Sequence, residues 1–186
     1  VIPSEHFQTR LITGTGASNT QVITGFPFAP DFVWIKNRSS AYNHAVYDTV
    51  RGASNRLYSN LTNAEASNAA LSAFSSEGYT VGTDAANENN VVSWNWKAGG
   101  SAVSNTNGTI TSSVSANPSA GFSIVSYTGS GSAGTVGHGL SKIPDMIITK
   151  GRSNSGNWVT WQKDLTGAFD SNGAYVYLNS TGQPAT

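Results

Sequence analysis

The sequence predicts an all-β protein: an antiparallel β-sandwich or jelly-roll-like fold built from two sequence repeats, the second of them incomplete. Three observations predict it. Short apolar runs alternate with clusters of Gly, Asn, Ser and Pro, no segment sustains a helical period, and the chain resembles itself at an offset of about 114 residues.

Taken from the N-terminus, β-branched and aromatic residues bounded by turn formers predict strands over 7–13, 20–24, 31–36, 44–48, 56–59, 79–81, 91–97, 109–114, 122–128, 145–150, 158–162 and 174–178. The best helical candidate, 64–73, is interrupted by Asn and Ser and is predicted to form at most one or two turns. In Phe32-Val33-Trp34-Ile35 both faces are apolar, which predicts a central strand covered on both sides, by a neighbouring unit or subunit. In Val92-Ser93-Trp94-Asn95-Trp96 apolar and polar residues alternate, which predicts one packed face and one wet face.

The self-similarity runs through several turns and a strand. Thr13-Gly14-Thr15-Gly16 returns as Thr128-Gly129-Ser130-Gly131, and Gly25-Phe26 as Gly139-Leu140. Pro30-Asp31-Phe32-Val33-Trp34-Ile35-Lys36 returns as Pro144-Asp145-Met146-Ile147-Ile148-Thr149-Lys150. Arg38-Ser39 then matches Arg152-Ser153, Gly52-Ala53 matches Gly167-Ala168, and Asn60 and Thr62 match Asn179 and Thr181. Each shared position has a physical use: Gly at tight turns, Pro fixing φ at strand entry, and Lys then Arg where the strand emerges into water. The predicted organisation is a first β-sandwich repeat over 1–100, a linker with one short strand over 101–121, and an incomplete second repeat over 122–186. Because the second copy ends before any counterpart of 71–97, the chain is expected to be the N-terminal part of a longer protein.

Charged residues make up 11% of the chain, against roughly 25% for an ordinary soluble domain. The surface is therefore built of Ser, Thr, Asn and Gly, which suits packed shells, fibres and extracellular modules. Ten basic and ten acidic side chains cancel, so nothing draws the protein to nucleic acid or to a membrane surface, and repulsion between copies is weak. There is no Cys, which excludes disulfides, thiolate metal sites and thiol nucleophiles. No run of about 18 apolar residues predicts membrane insertion. The start Val1-Ile2-Pro3-Ser4-Glu5-His6 is not a signal peptide, so export is expected by another route such as cell lysis.

Candidate chemistry is sparse. The three histidines are His6, His44 and His138; His44 shares a strand face with Asp48, and His138 sits in a Gly-His-Gly turn. No Gly-x-Ser-x-Gly elbow joins a strand to a helix, so no catalytic residue is assigned and the protein is predicted not to be an enzyme. The oxygen-rich stretch 84–90 lacks the spacing and Gly of a Ca²⁺ loop and is read as a polar hairpin loop; no metal and no cofactor are predicted. Asp31 and Asp145, each following Pro, are read as turn or edge residues. The sequons at Asn37, Asn60, Asn107 and Asn179 carry little weight in so Asn-, Ser- and Thr-rich a chain. Aromatic residues supply the binding hypothesis, since Trp and Tyr stack on the apolar face of a sugar and populate subunit contacts. Trp34 and Trp94 are assigned to the core. Trp158 and Trp161 lie on opposite faces of one strand, so at least one is exposed; with Tyr42 and Tyr47 they form the candidate glycan or subunit contact.

Several stretches carry a family resemblance: Pro30-Asp31-Phe32-Val33-Trp34-Ile35-Lys36-Asn37-Arg38, Tyr47-Asp48-Thr49-Val50-Arg51-Gly52-Ala53, Gly78-Tyr79-Thr80-Val81-Gly82, Trp94-Asn95-Trp96-Lys97-Ala98-Gly99-Gly100 and Ala120-Gly121-Phe122-Ser123-Ile124-Val125-Ser126-Tyr127-Thr128-Gly129. Together they resemble an uncharacterised repeat domain of large virion proteins of tailed bacteriophages, marine and cyanobacterial phages especially. The resemblance implies a structural protein of the virion: a tail-fibre or host-adhesion component with a glycan-binding face, or alternatively a capsid-decoration or scaffold protein. Its partners would be other virion proteins and host surface glycan, and by analogy it would be a homo-oligomer.

Overall fold

The computed structural model describes residues 1–16, 18–165 and 175–181. Among them are fifteen strands: β1 (Phe7–Thr15), β2 (Gln21–Ile23), β3 (Phe32–Asn37), β4 (Ala45–Asp48), β5 (Gly52–Tyr58), β6 (Ala66–Ser67), β7 (Leu71–Ser75), β8 (Gly78–Val81), β9 (Glu88–Trp96), β10 (Val103–Asn105), β11 (Ser112–Asn117), β12 (Phe122–Tyr127), β13 (Met146–Thr149), β14 (Val159–Gln162) and β15 (Val176–Tyr177). The only helical elements among the described residues are two short 3₁₀ turns, Pro3–Glu5 and Ala85–Asn87. The fold is all-β, and every pairing between these fifteen strands is antiparallel, with one isolated parallel bridge, Ile110↔Val136, outside them.

A six-stranded sheet in the order β1-β9-β3-β4-β5-β6 faces a three-stranded sheet in the order β2-β8-β7. Both contribute to one core: Val33, Ile35, Ala45, Tyr47 and Val91 from the first, and Ile23, Leu71, Tyr79 and Val81 from the second, with Phe26 and Phe28 closing it. Burying a Val or Leu side chain here is worth about 1.5–3 kcal/mol. As both faces of its sequence predict, β3 is central, flanked by β9 and β4.

Over 64–73, where at most one or two helical turns are expected, no helix forms, and β6 and β7 stand there. A register shift between Leu71 and Ala73 places Leu71 opposite Val81 and Phe74 opposite Tyr79, so two residues three apart face the same core. That bulge turns a strand's period of two into a spacing that resembles a helix.

On β9 the packed and wet faces are reversed. Ser93 and Asn95 are 0% exposed and stand opposite Ile35 and Val33 on the core side, while Trp94 and Trp96 lie on the outer face and are half-buried. The cause is Tyr79, whose phenol crosses the core and donates to Ser93 Oγ at 2.6 Å, a bond no indole at that position could accept. Burial raises the Tyr79 pKa above its ordinary 10.0.

Asp31 is also not an edge residue. It is buried, and its carboxylate accepts hydrogen bonds from Ala98 N at 2.8 Å, Gly100 N at 3.2 Å and Thr49 Oγ1 at 3.2 Å. This folds the chain after β9 onto β11, where Ser115 Oγ donates to Gly100 O at 2.7 Å and accepts from Gly99 N at 2.9 Å. A Cβ on Gly99 would lie 2.3 Å from Ala116 O, and Gly100 has φ +77°, so both glycines are required. The segment expected as a linker with one strand thus carries two, β10 and β11, in a sheet of order β10-β11-β12.

The last sheet has the order β13-β14-β15. Its hairpin has the register of β3–β4: Phe32↔Asp48 and Ile35↔Ala45 in one, Met146↔Gln162 and Thr149↔Val159 in the other. Side chains follow. Lys36 Nζ donates to Asn37 O and Ser40 O, and Lys150 Nζ to Gly151 O and Asn154 O. Asn60 Oδ1 accepts from His44 N at 2.9 Å, and Asn179 Oδ1 from Trp158 N at 2.7 Å. The sequence match of Gly167-Ala168 and the first residue of the predicted strand 174–178 lie outside the described residues.

Polar contacts join this sheet to the first. Arg152 Nη2 pairs with Glu65 Oε1 at 2.7 Å, Arg51 Nη1 with Glu65 Oε2 at 2.9 Å, and Arg51 Nε with Asp48 Oδ2 at 2.5 Å. Burial alone would raise the Glu65 pKa, but the bonds from Arg152 and Arg51 outweigh it and hold the carboxylate below its ordinary value.

Candidate functional site

Because side chains alternate along a strand, one face of β1, β9 and β3 gathers aromatic residues in two ladder rows. One row runs Phe7, Trp96, Phe32; the next runs Thr9, Trp94, Trp34. Phe7 and Trp96 lie 4.8 Å apart between centroids, Trp96 meets Phe32 edge-on at 5.3 Å, and Trp34 meets Trp94 edge-on at 6.2 Å. Phe122 of β12 stacks on Trp96 at 6.1 Å and 20° and meets Phe32 edge-on at 5.9 Å, so it covers the middle and one end of the row. The other end is open to water: Phe7 is 38% and Leu11 70% exposed.

Trp34 Nε1 donates to His44 Nδ1 at 3.3 Å. An indole N–H only donates, so His44 is neutral there, with its proton on Nε2. Burial, aided by the charge of Lys36, lowers its pKa below the ordinary 6.5.

The assignment of Trp34 and Trp94 to the core is therefore corrected. Both belong to the outer aromatic face, because the interior of β9 is reserved for the short polar partners of Tyr79 and β1. Phe7, Phe32 and Phe122 went unrecognised in the sequence. The available signal was the alternation of 7 with 9, 32 with 34, and 94 with 96; what it lacked was the register that aligns them.

The four predicted contact residues separate. Trp158 is buried, and its Nε1 donates to Tyr58 O at 2.8 Å, so it joins the last sheet to the first and cannot stack on a sugar. Tyr47 is fully buried in the core, because it lies on the inner face of β4 opposite Val33. Trp161 is half-buried on β14, and Tyr42 is exposed. Tyr42 and Tyr47 do share one feature, a cavity of about 60 Å³ that Arg56, Tyr58 and Asp84 also line. In it Arg56 Nη1 pairs with Asp84 Oδ2 at 3.1 Å. Its volume suits about two waters.

His6, His138 and Asp48 are engaged in structure. His6 Nδ1 accepts from Asn117 Nδ2 at 3.0 Å and His138 Nδ1 from Leu140 N at 3.1 Å, while Asp48, near His44 in sequence, is held by Arg51. In 84–90, read as a polar hairpin loop, Asp84 Oδ1 caps a 3₁₀ turn by accepting from Ala86 N at 2.9 Å, and the chain then enters β9. Among the described residues no group of three or more His, Asp or Glu is placed to hold a metal ion, and no helix is long and apolar enough to cross a membrane.

These features define an antiparallel β-sandwich protein with a cluster of aromatic side chains on the outer face of its larger sheet. The chain belongs to the family described as Domain of unknown function (DUF7483), which it matches over residues 2–186. No curated protein and no solved structure matches it.

Proposed function

We propose that the protein is a non-enzymatic structural and adhesive module of a tailed-phage virion, a tail-fibre or host-adhesion component that binds host surface glycan through its outer aromatic face. The observation that carries this reading is the half-buried, edge-on Trp34–Trp94 pair in the row next to exposed Phe7, an aromatic cluster on the outer face of a chain with no net charge. Sugar rings dock apolar faces on such clusters without needing charge. The family resemblance and the low charge support the virion setting.

A glycan array probed with the whole protein tests the proposal. Binding should fall about tenfold in Trp94→Ala, the order expected for one aromatic contact, with unfolding measured in parallel. Failure to bind any host polysaccharide or cell-envelope glycan would overturn it. The alternative, a capsid-decoration or scaffold protein contacting only virion subunits in a homo-oligomeric assembly, is favoured by exposed Met146, Ile147 and Ile148. Immunogold labelling of intact particles separates head from tail.

A further inference from the structure

We infer that the edges of β12 and β13 form an acceptor slot for one more antiparallel strand, and that its occupant is an extended segment with the sequence pattern of β9. The inference is independent of the glycan reading and uses a different surface.

The argument starts from the two hairpins of common register. In the first, β3 has β4 on one side and β9 on the other, with Phe32↔Trp96, Val33↔Asn95, Trp34↔Trp94 and Ile35↔Ser93. In the second, β13 has β14 in the position of β4, and its other side is the edge of the sheet. The same holds one strand away. β1 starts at Phe7 and runs into Thr13-Gly14-Thr15-Gly16; β12 starts at Phe122 and runs into Thr128-Gly129-Ser130-Gly131. β9 lies between β1 and β3, whereas β12 and β13 are both sheet edges with no strand between them among the described residues. A side chain bridges them: Arg152, in the loop after β13, donates from Nη1 to Ser126 Oγ of β12 at 3.0 Å.

The exposed side chains match an acceptor. Met146, Ile147 and Ile148 are 56%, 44% and 41% exposed, and β13 itself bears no charge, Pro or bulge, the devices that normally block a sheet edge. An added strand would supply main-chain hydrogen bonds, with alternate side chains reading the two faces. The register of β9 on β3 sets the pairing: apolar or aromatic residues opposite Met146 and Ile148, as Trp96 and Trp94 are opposite Phe32 and Trp34, and short polar ones opposite Ile147 and Thr149.

The test uses the full chain and a synthetic peptide of residues 88–97, read by amide hydrogen exchange. The peptide should slow exchange in both 122–127 and 146–149, and Ile148→Glu, at an exposed position, should weaken binding at least tenfold. A peptide carrying Trp94→Pro, which lacks a ladder donor, should bind far more weakly. Unchanged exchange in both segments at millimolar peptide would overturn the inference, as would protection confined to β1 and β3, which would mean exchange with the chain's own β9. Protection that rises with protein concentration in the absence of peptide would place a second copy in the slot and overturn the named occupant.

Discussion

Tyr79 and Ser93 meet across the interior of the sandwich through a 2.6 Å hydrogen bond, the phenol donating and the serine hydroxyl accepting. Ser93 in turn accepts from Asn95 Nδ2 at 3.0 Å, and Asn95 Nδ2 also donates to Gln8 O at 2.9 Å, so a polar seam runs down the core side of β9. Ser93→Ala leaves a buried phenol without its acceptor and should cost about 1–3 kcal/mol. With Tyr79→Phe present, the same change should cost markedly less, because no donor is then orphaned. Urea denaturation of the two single variants and the double variant measures this. Additive losses would show that the bond contributes nothing to stability.

Asp31 and Asp145 occupy matching places after Pro30 and Pro144 yet hold different contacts. Asp31 accepts from two backbone amides and a threonine, whereas Asp145 makes one exposed ion pair with Lys163 at 2.7 Å. Asp31→Ala should cost about 3 kcal/mol, since buried donors lose a charged acceptor. For a chain of this length the melting temperature should fall by roughly 2–4 °C per kcal/mol. Asp145→Ala should change stability by less than about 1 kcal/mol. Equal shifts in the two melting curves would contradict this account.

This pair also marks what the sequence could convey. The strands of the central sheet were readable because Phe32 to Ile35 and Val91 to Trp96 are dense in β-formers between turn residues. Which face of β9 points inward was not readable, because hydrophobicity favours Trp over Ser inside, and only the position of Tyr79, fourteen residues away, reverses that preference. The burial of Asp31 was hidden for the same reason: its donors, Ala98 and Gly100, lie nearly seventy residues further along the chain. The aromatic face depends on three strands aligning, so the residue types were visible and their juxtaposition was not.

The burial of His44, with the charge of Lys36 nearby, makes stability depend on pH. The folded pKa of His44 is lowered below its ordinary 6.5, so the unfolded chain binds the proton first as pH falls. The contribution is therefore complete above the ordinary value and is lost as pH drops through the lowered one. Wild-type protein should lose more stability between pH 7.5 and pH 5.5 than His44→Gln, which carries no proton to gain. Denaturant midpoints at the two pH values provide the measurement, and parallel shifts in both proteins would refute the assignment.

Trp158 offers the sharpest separation between an anchor and a ligand contact. Its indole is buried and bonded to Tyr58 O, and Gly156 N donates to Thr62 O at 2.8 Å close by, so this stretch is fastened to the chain after β5. Trp158→Phe removes the donor but keeps a ring and should cost about 1 kcal/mol, while Trp158→Ala also opens a cavity and should cost about 3–5 kcal/mol. The loss should be local: amides of 159–162 should exchange faster, whereas those of β1 and β9, held by their own nine-residue ladder, should not change. A ligand contact predicts the reverse, lost binding with exchange in 159–162 unaltered. Measuring exchange in Trp158→Phe therefore decides between the two roles without knowledge of any ligand.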